Sequence, residues 1–116
     1  MSRLTSGVAV DAAFLPVPFD PVEPEKVVAG SPQARYLDLD ETAGRTVGVW
    51  EHTPGVSRDV ESDEVFVVLA GDATVEFIDP PHPPIDLRPG VLVRLKEGMS
   101  TVWTVRETVR KVYIAP

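Results

Sequence analysis

Short apolar runs separated by turn residues make up most of this chain. From Tyr36 onward, glycine, proline and aspartate clusters interrupt the sequence about every ten residues, a spacing typical of all-β domains. No segment keeps an apolar period of 3.6 residues for more than a turn or two. The chain is therefore predicted to be all-β, a sandwich or barrel. Its predicted strands are TVGVW (46–50), EVFVVLA (64–70), ATVEFI (73–78), VLVRL (91–95), TVWTV (101–105) and KVYIA (111–115).

The run EVFVVLA is apolar on both faces of its predicted strand. One face carries Glu64, Phe66 and Val68, and the other carries Val65, Val67 and Leu69. A strand buried on both faces lies between two layers. One layer is the barrel interior, and the other must be the N-terminal arm or a second subunit, because so large an apolar face is a liability in water. We therefore predict a homodimer, which sedimentation as a monomer at micromolar concentration would refute.

Residues 1–24 are predicted to form an extended arm, followed by a single domain over residues 25–116. Prolines at 16, 18, 21 and 24 remove amide donors and fix φ, which excludes a helix or a central strand there. The apolar residues of the arm indicate that it lies along a surface; they are Val8, Val10, Phe14, Leu15 and Phe19. The segment EKVVAGSP (25–32) could hold a short strand, closed by Gly30 and Pro32.

Composition excludes several function classes. The chain has no cysteine, so disulfides, thiolate nucleophiles and cysteine-bound zinc are excluded. A net charge of −7 disfavours nucleic acid as a partner. No secretory signal or membrane-spanning run is present, so we expect a cytoplasmic protein that does not bind membranes.

The C-terminal quarter is locally basic. We expect these charges to pair with the acidic remainder, with capture of a small anion as the alternative. RETVRK (106–111) is predicted to be a turn between the last strands, with Arg106, Arg110 and Lys111 forming ion pairs. His82, among prolines, is expected in a loop.

An ordered series of short motifs resembles the cupin superfamily, and more narrowly its ureidoglycine-aminohydrolase-like group, which includes the ethanolamine-utilisation cupins. The resemblance covers roughly residues 25–115 and implies a small double-stranded β-helix (jelly-roll) barrel. The matching residues are Gly48-Val49-Trp50-Glu51, Pro54-Gly55, Asp63-Glu64, Leu69 with Gly71, Pro89-Gly90, Gly98, Trp103, and Arg106-Glu107 through Arg110-Lys111-Val112-Tyr113.

The metal ligands that the resemblance implies are mostly replaced. The glutamate is present as Glu64, but the two histidine positions of the first motif fall on Ser57 and Asp59, or with a shorter gap on Arg58 and Val60. The histidine of the second motif is Thr101. Transition-metal sites depend on converging imidazole and carboxylate donors, so we predict that the metal site is lost and that no cofactor is bound. The alternative is a non-standard site built from His52, Asp59 and Glu64.

The resemblance points Glu64 into the barrel, at its mouth. A buried carboxylate needs a partner, and the predicted one is Arg58, or else Arg94 or Lys96. The alternative is that Glu64 begins its strand in solvent.

Aromatic residues complete the predicted ligand site. Trp103 shares a face with Thr101, and Trp50 shares one with His52. Plain core packing is the alternative for both tryptophans. The predicted barrel-interior, ligand-binding residues are Trp50, His52, Arg58, Asp59, Glu64, Phe66, Thr101, Trp103 and Tyr113.

Three functions stay open from the sequence. The first is a metal-free cupin that binds a small polar metabolite, nitrogenous or anionic, in the barrel. The second is a hydrolase of C–N bonds related to ureidoglycine aminohydrolase, and the third is a non-catalytic dimerisation module. Metal-free sugar epimerases of the superfamily use a His/Tyr pair for proton transfer, which makes His52 with Tyr113 a candidate pair. The sequence assigns no catalytic residue and does not settle whether the protein is an enzyme.

Overall fold

Antiparallel strands account for most of the fold. The computed structural model describes residues 4–116, and the one helical element among them is a three-residue 3-10 turn, Pro24–Lys26. The predicted all-β class is confirmed. The described residues form no helix that is long and apolar enough to cross a membrane. The strands are β1 (Asp20–Pro21), β2 (Val27–Ala29), β3 (Gln33–Thr42), β4 (Arg45–His52), β5 (Gly55–Val60), β6 (Glu64–Asp79), β7 (His82–Leu87), β8 (Leu92–Leu95) and β9 (Ser100–Ala115).

The two longest strands, β6 and β9, form the centre of the sheet. They pair from Val65 opposite Ile114 to Asp79 opposite Ser100. The other edge of β9 pairs with β5 along its first half and with β4 along its second half. Strands β7 and β8 both pair with β6. Because β9 pairs with three strands, the sheet curls around an interior to which β4, β5, β6 and β9 all contribute.

The predicted break between strands 64–70 and 73–78 is wrong, and so is the turn predicted at residues 106–111. Strands β6 and β9 run through these places as single strands of 16 residues each. The register of the pairing between β6 and β9 shifts near Ala70 and Asp72, which lets both strands continue past these residues. Gly71, between them, has a φ of +101°. Pairing between the two long strands overrides the local turn signals. The predicted ion pairs do form: Arg106 with Asp72, Arg110 with Glu51 and Lys111 with Glu64.

Smaller differences concern the shorter strands. The expected strand in residues 25–32 is β2. His82 begins β7 instead of lying in a loop, and its ring packs edge-on against Phe77 at 5.6 Å. Strands β3 and β5 were not predicted, because their many polar residues hide the alternation on which strand prediction depends.

The barrel interior is filled at one end by aliphatic side chains. Phe66 and Val68 of β6 are about 1% exposed, which confirms the interior face predicted for that strand. They pack with Val75, Leu95 and Trp103 in one buried cluster. Trp103 lies where this cluster meets the polar end of the interior.

A second apolar cluster lies outside the barrel and involves the N-terminal segment. Val17 packs with Leu39 and Val49, and Leu15 and Val112 join them. The arm was predicted from residue 1, and residues 1–3 lie outside the described part. No β6 residue belongs to this cluster, and on that side of the sheet Leu92 and Ile114 are 71% and 42% exposed. The homodimer stays a prediction, with this face as its expected contact.

Candidate functional site: a polar cup in the barrel

The polar end of the barrel interior is an open cavity of about 960 Å³, here called the cup. Side chains alternate across a strand, so inward positions on neighbouring strands meet inside it. Trp50 lies opposite Lys111 in the pairing of β4 with β9, and Ser57 lies opposite Trp103 in the pairing of β5 with β9. Residues lining the cup include Asp38, Trp50, His52, Ser57, Trp103 and Tyr113.

A buried ion pair lies in the wall of the cup. Lys111 Nζ donates to Glu64 Oε2 at 2.8 Å, and the two side chains are only 6% and 15% exposed. The same ammonium lies 4.2 Å from the ring centroid of Phe66, 4.6 Å from that of Trp50 and 5.0 Å from that of Trp103. Cation–π attraction is strongest for desolvated cations, so the rings and the carboxylate together hold a fixed positive charge.

The predicted partners of Glu64 were wrong. Arg94 lies opposite Val65 in the pairing of β6 with β8 and therefore shares the outward face of that residue. Lys96 lies beyond the end of β8 and is exposed. Arg58 lies opposite Val102 in the pairing of β5 with β9, so its side chain is on the other face from Ser57. It is exposed, at the border of the cup. The cation comes instead from β9, the strand that pairs with β6 on its other edge.

A second carboxylate, Glu61, is held just before β6 begins. Its Oε2 accepts hydrogen bonds from Thr101 Oγ1 at 2.5 Å and from Trp103 Nε1 at 2.9 Å. Burial raises the pKa of Glu61 above its ordinary value, while these two hydrogen bonds and the charge of Lys111 oppose that rise. Glu61 also lines the cup, so it is a candidate to donate or accept a proton there.

His52 and Ser57 form a buried hydrogen-bonded pair in the cup. His52 Nδ1 lies 2.6 Å from the carbonyl oxygen of Thr53, and its Nε2 lies 2.8 Å from Ser57 Oγ. A carbonyl oxygen can only accept, so Nδ1 carries the proton and donates. Nε2 is then the acceptor for the Ser57 hydroxyl. Burial lowers the pKa of His52, and the bond to Thr53 offsets part of that shift.

We expect the lowered pKa of His52 to make stability depend on pH. In the unfolded chain the imidazole binds a proton near its ordinary pKa of 6.5, whereas in the folded protein it stays neutral to lower pH. Its contribution is therefore complete above pH 6.5 and is lost as the pH falls from there toward the folded pKa. Urea unfolding at several pH values should show the stability difference between wild type and His52→Gln shrinking as the pH falls below about 6.5.

The control for this prediction is the other histidine. His82 is exposed on β7, and His82→Gln leaves the His52 pair in place. This variant should keep the pH dependence of the wild type below pH 6.5. If His52→Gln keeps it as well, the neutral buried imidazole does not cause the dependence.

Tyr113 is held at the side of the cup by Asp38. Its hydroxyl donates to Asp38 Oδ1 at 2.5 Å, and burial and the nearby carboxylate raise its pKa well above the usual range. Gly48 makes room for the ring, because a Cβ at that position would overlap the Tyr113 hydroxyl. In residues 4–116 no hydrogen bond joins Tyr113 to His52, since each has its own partner.

Seven of the nine predicted site residues line the cup, and Phe66 and Thr101 lie behind its wall. Asp59 pairs with Lys26 at 3.3 Å. Sequence reasoning missed Glu61 as a buried acid and Lys111 as an interior cation. The only signal for Lys111 was its place two residues before Tyr113, hence on the same strand face. Glu61 had no such signal, because it lies outside any strand.

Residues 39–113 match the family model described as the EutQ-like cupin domain. The chain belongs to this family. A comparison with curated proteins gave no match. The cupin fold implied by the resemblance of the sequence is thus confirmed, and the match extends from Leu39 in β3 to Tyr113 in β9.

Solved structures share this fold at low sequence identity. A Pseudomonas syringae protein of unknown function superposes with a TM-score of 0.72 at 21% identity, over 88% of this chain and 45% of its own. The cupin described here thus spans about half of that protein. EutQ of Clostridium difficile gives 0.62 at 17% identity, over 82% of this chain and 74% of its own. A cupin superfamily protein of Desulfitobacterium hafniense gives 0.65 at 15% identity, over 98% and 94%.

The residues of the cup do not fit a transition-metal ion. In residues 4–116 no three histidine, aspartate or glutamate side chains lie close enough together to hold one. The Glu64 carboxylate is paired with an ammonium, and Asp59 with Lys26. Both ring nitrogens of His52 are engaged, one by Thr53 and one by Ser57. The alternative site of His52, Asp59 and Glu64 does not assemble.

Proposed function

We propose that this cupin binds a small nitrogenous metabolite in the cup without a metal ion. The observation that carries the proposal is the ammonium of Lys111, paired with Glu64 and surrounded by three aromatic rings. In a metal-binding cupin the metal ion would neutralise this carboxylate, and here the ammonium of Lys111 neutralises it. The cup is then free to take a ligand against its tryptophan wall, as small-molecule sites combine apolar walls with a few placed polar groups.

The charges around the cup favour a ligand that donates hydrogen bonds. Seven acidic and four basic side chains of the described residues line it. Three of those bases, Lys26, Arg35 and Lys111, are already paired with carboxylates. The cup therefore offers more acceptors than donors, which suits amines, amides and ureides better than anions. Asp38, which is exposed and has a second oxygen, is the acceptor we expect to contact the ligand.

Calorimetric titration of the metal-depleted protein with ureides, amines, amino acids, sugars and simple carboxylates tests this proposal. Ureides belong in the set because the sequence resembles ureidoglycine-aminohydrolase-like cupins. We expect binding within the nitrogenous group, and Asp38→Asn should weaken it by about tenfold or more, since a hydrogen bond to a charged group is lost. Metal analysis of the purified protein should find well under one ion per chain.

The matched control is Asp86→Asn. Asp86 is also exposed and also accepts a hydroxyl hydrogen bond from another strand, but it lies on β7 away from the cup. Its affinity for the ligand should equal that of the wild type. Binding only of carboxylates or sugars would overturn the ligand class. One tightly held ion per chain that is lost on Glu64→Ala would overturn the metal-free site.

A further inference from the structure

We propose that Ser57 is a nucleophile activated by His52, and that the cup hydrolyses small carboxylic esters through an acyl-serine intermediate. This activity goes beyond the binding of a metabolite and involves a different part of the cup. It follows from the direction of the two hydrogen bonds that His52 makes, from the access of Ser57 to the cavity, and from the protonation state of the imidazole.

The two hydrogen bonds of His52 have the polarity that a serine nucleophile needs. The carbonyl oxygen of Thr53 fixes the proton on Nδ1, at 2.6 Å. The lone pair of Nε2 therefore points at Ser57 Oγ, 2.8 Å away, and can take its proton. In serine hydrolases an acidic side chain holds the imidazole in this tautomer, whereas here a backbone carbonyl does so. The ring also packs in a tilted orientation against Trp50, with the ring centroids 5.5 Å apart, which further restricts its orientation.

Both side chains reach the cavity although they are nearly buried. His52 is 2% exposed and Ser57 is 6% exposed, and both line the cup. A serine whose only role was to form a hydrogen bond with a buried histidine would need no cavity beside it. The lowered pKa of His52 keeps the imidazole neutral at physiological pH, which is the form that acts as a base. The open cup supplies the water that the second step consumes.

The reaction balances with an ester and one water. Ser57 Oγ forms a bond to the ester carbonyl carbon while its proton passes to His52 Nε2. The alkoxide leaves with that proton as an alcohol, and the acyl group stays on Ser57. Water then attacks the acyl carbon, gives its proton to Nε2, and releases the carboxylic acid as Ser57 regains a proton. An ester is the class we assign, because an alkoxide is a better leaving group than an amide anion.

A fluorophosphonate probe tests the proposal on the full chain. The probe reacts covalently with activated serines, and peptide mass spectrometry locates the adduct. We expect one adduct per chain, on Ser57, absent from Ser57→Ala. The rate should fall at least tenfold in His52→Gln, since a positioned general base contributes about a hundredfold or more. Ser62 is the control: it also lines the cup and is exposed, so Ser62→Ala should be labelled like the wild type.

A cysteine variant keeps the test decisive if His52→Gln does not fold. The chain has no cysteine, so Ser57→Cys and Ser62→Cys each carry a single thiol. A thiol beside an imidazole forms a thiolate well below the ordinary cysteine pKa of about 8.5. Iodoacetamide should therefore alkylate Ser57→Cys at a rate that changes little between pH 6 and 8. The alkylation rate of Ser62→Cys should fall about tenfold for each unit by which the pH is lowered over the same range. Equal pH profiles, no alkylation at position 57, or no probe adduct on Ser57 would each overturn the proposal.

Discussion

Lys111→Met is expected to lower the free energy of unfolding by roughly 3–5 kcal/mol at pH 7, as is typical when one member of a buried ion pair is removed. The Glu64 carboxylate, whose side chain is 15% exposed, would lose the ammonium that Phe66, Trp50 and Trp103 surround. Methionine fills most of the volume of the lysine stem, so the loss of stability comes from the missing charge more than from lost packing. Urea unfolding followed by circular dichroism measures the effect.

Two further variants separate the ion pair from general damage. Lys111→Met with Glu64→Gln removes both charges and should recover a large part of the loss, because an uncharged amide is less costly to bury than a carboxylate. Arg106→Met breaks an exposed pair with Asp72 and should change stability little. If Lys111→Met is no more destabilising than Arg106→Met, the interior ion pair does not contribute as described.

Gly71→Ala is expected to cost roughly 2–4 kcal/mol, from a strained backbone together with overlap against a packed neighbour. The φ of +101° at Gly71 is rarely adopted by residues with a side chain. An added Cβ would also overlap the carbonyl oxygen of Thr108 on β9, which is backbone and cannot move aside alone. Thermal and urea unfolding of this variant should both show the loss.

Gly98→Ala is the matched control for that prediction. Gly98 has a similar φ of +90°, but nothing lies within 4 Å of the added methyl group. Its cost should therefore come from the backbone conformation alone, about 1–2 kcal/mol. Equal losses in the two variants would show that the close approach of β6 and β9 at Gly71 has no energetic consequence.

Alternation within a strand grouped residues by face, and the resemblance to cupins indicated which face is inward, but neither showed which residues meet. The period of two placed Glu64 with Phe66 and Trp103 with Thr101, and in the structure Phe66, Thr101 and Trp103 are buried while Glu64 and Trp103 line the cup. The partner of Glu64 lies 47 residues away, on β9. That contact depends on which strands are neighbours and on their register, and neither is encoded in local sequence.

Local sequence also fails to show which residue of the acidic run ESDE (61–64) is buried. Glu61 is buried and Asp63 and Glu64 are half-buried, although all three are equally polar. Backbone bonds of Glu61 with Met99 and Gly98 turn this one side chain inward toward Thr101 and Trp103. These partners come from the hairpin between β8 and β9, far along the chain, so composition alone could not select Glu61. The missed length of β6 has a related cause, since a glycine that allows a turn also allows a register shift.

The placement of Trp50 and Trp103 gives this protein a built-in optical reporter. They are the only two tryptophans of the chain, and their ring centroids lie 5.2 Å apart. Since both indoles border the same cavity, the tryptophan emission of the protein comes from that one place. A spectral shift or quenching upon mixing with any compound would thus locate the event inside the barrel without a dye or a label.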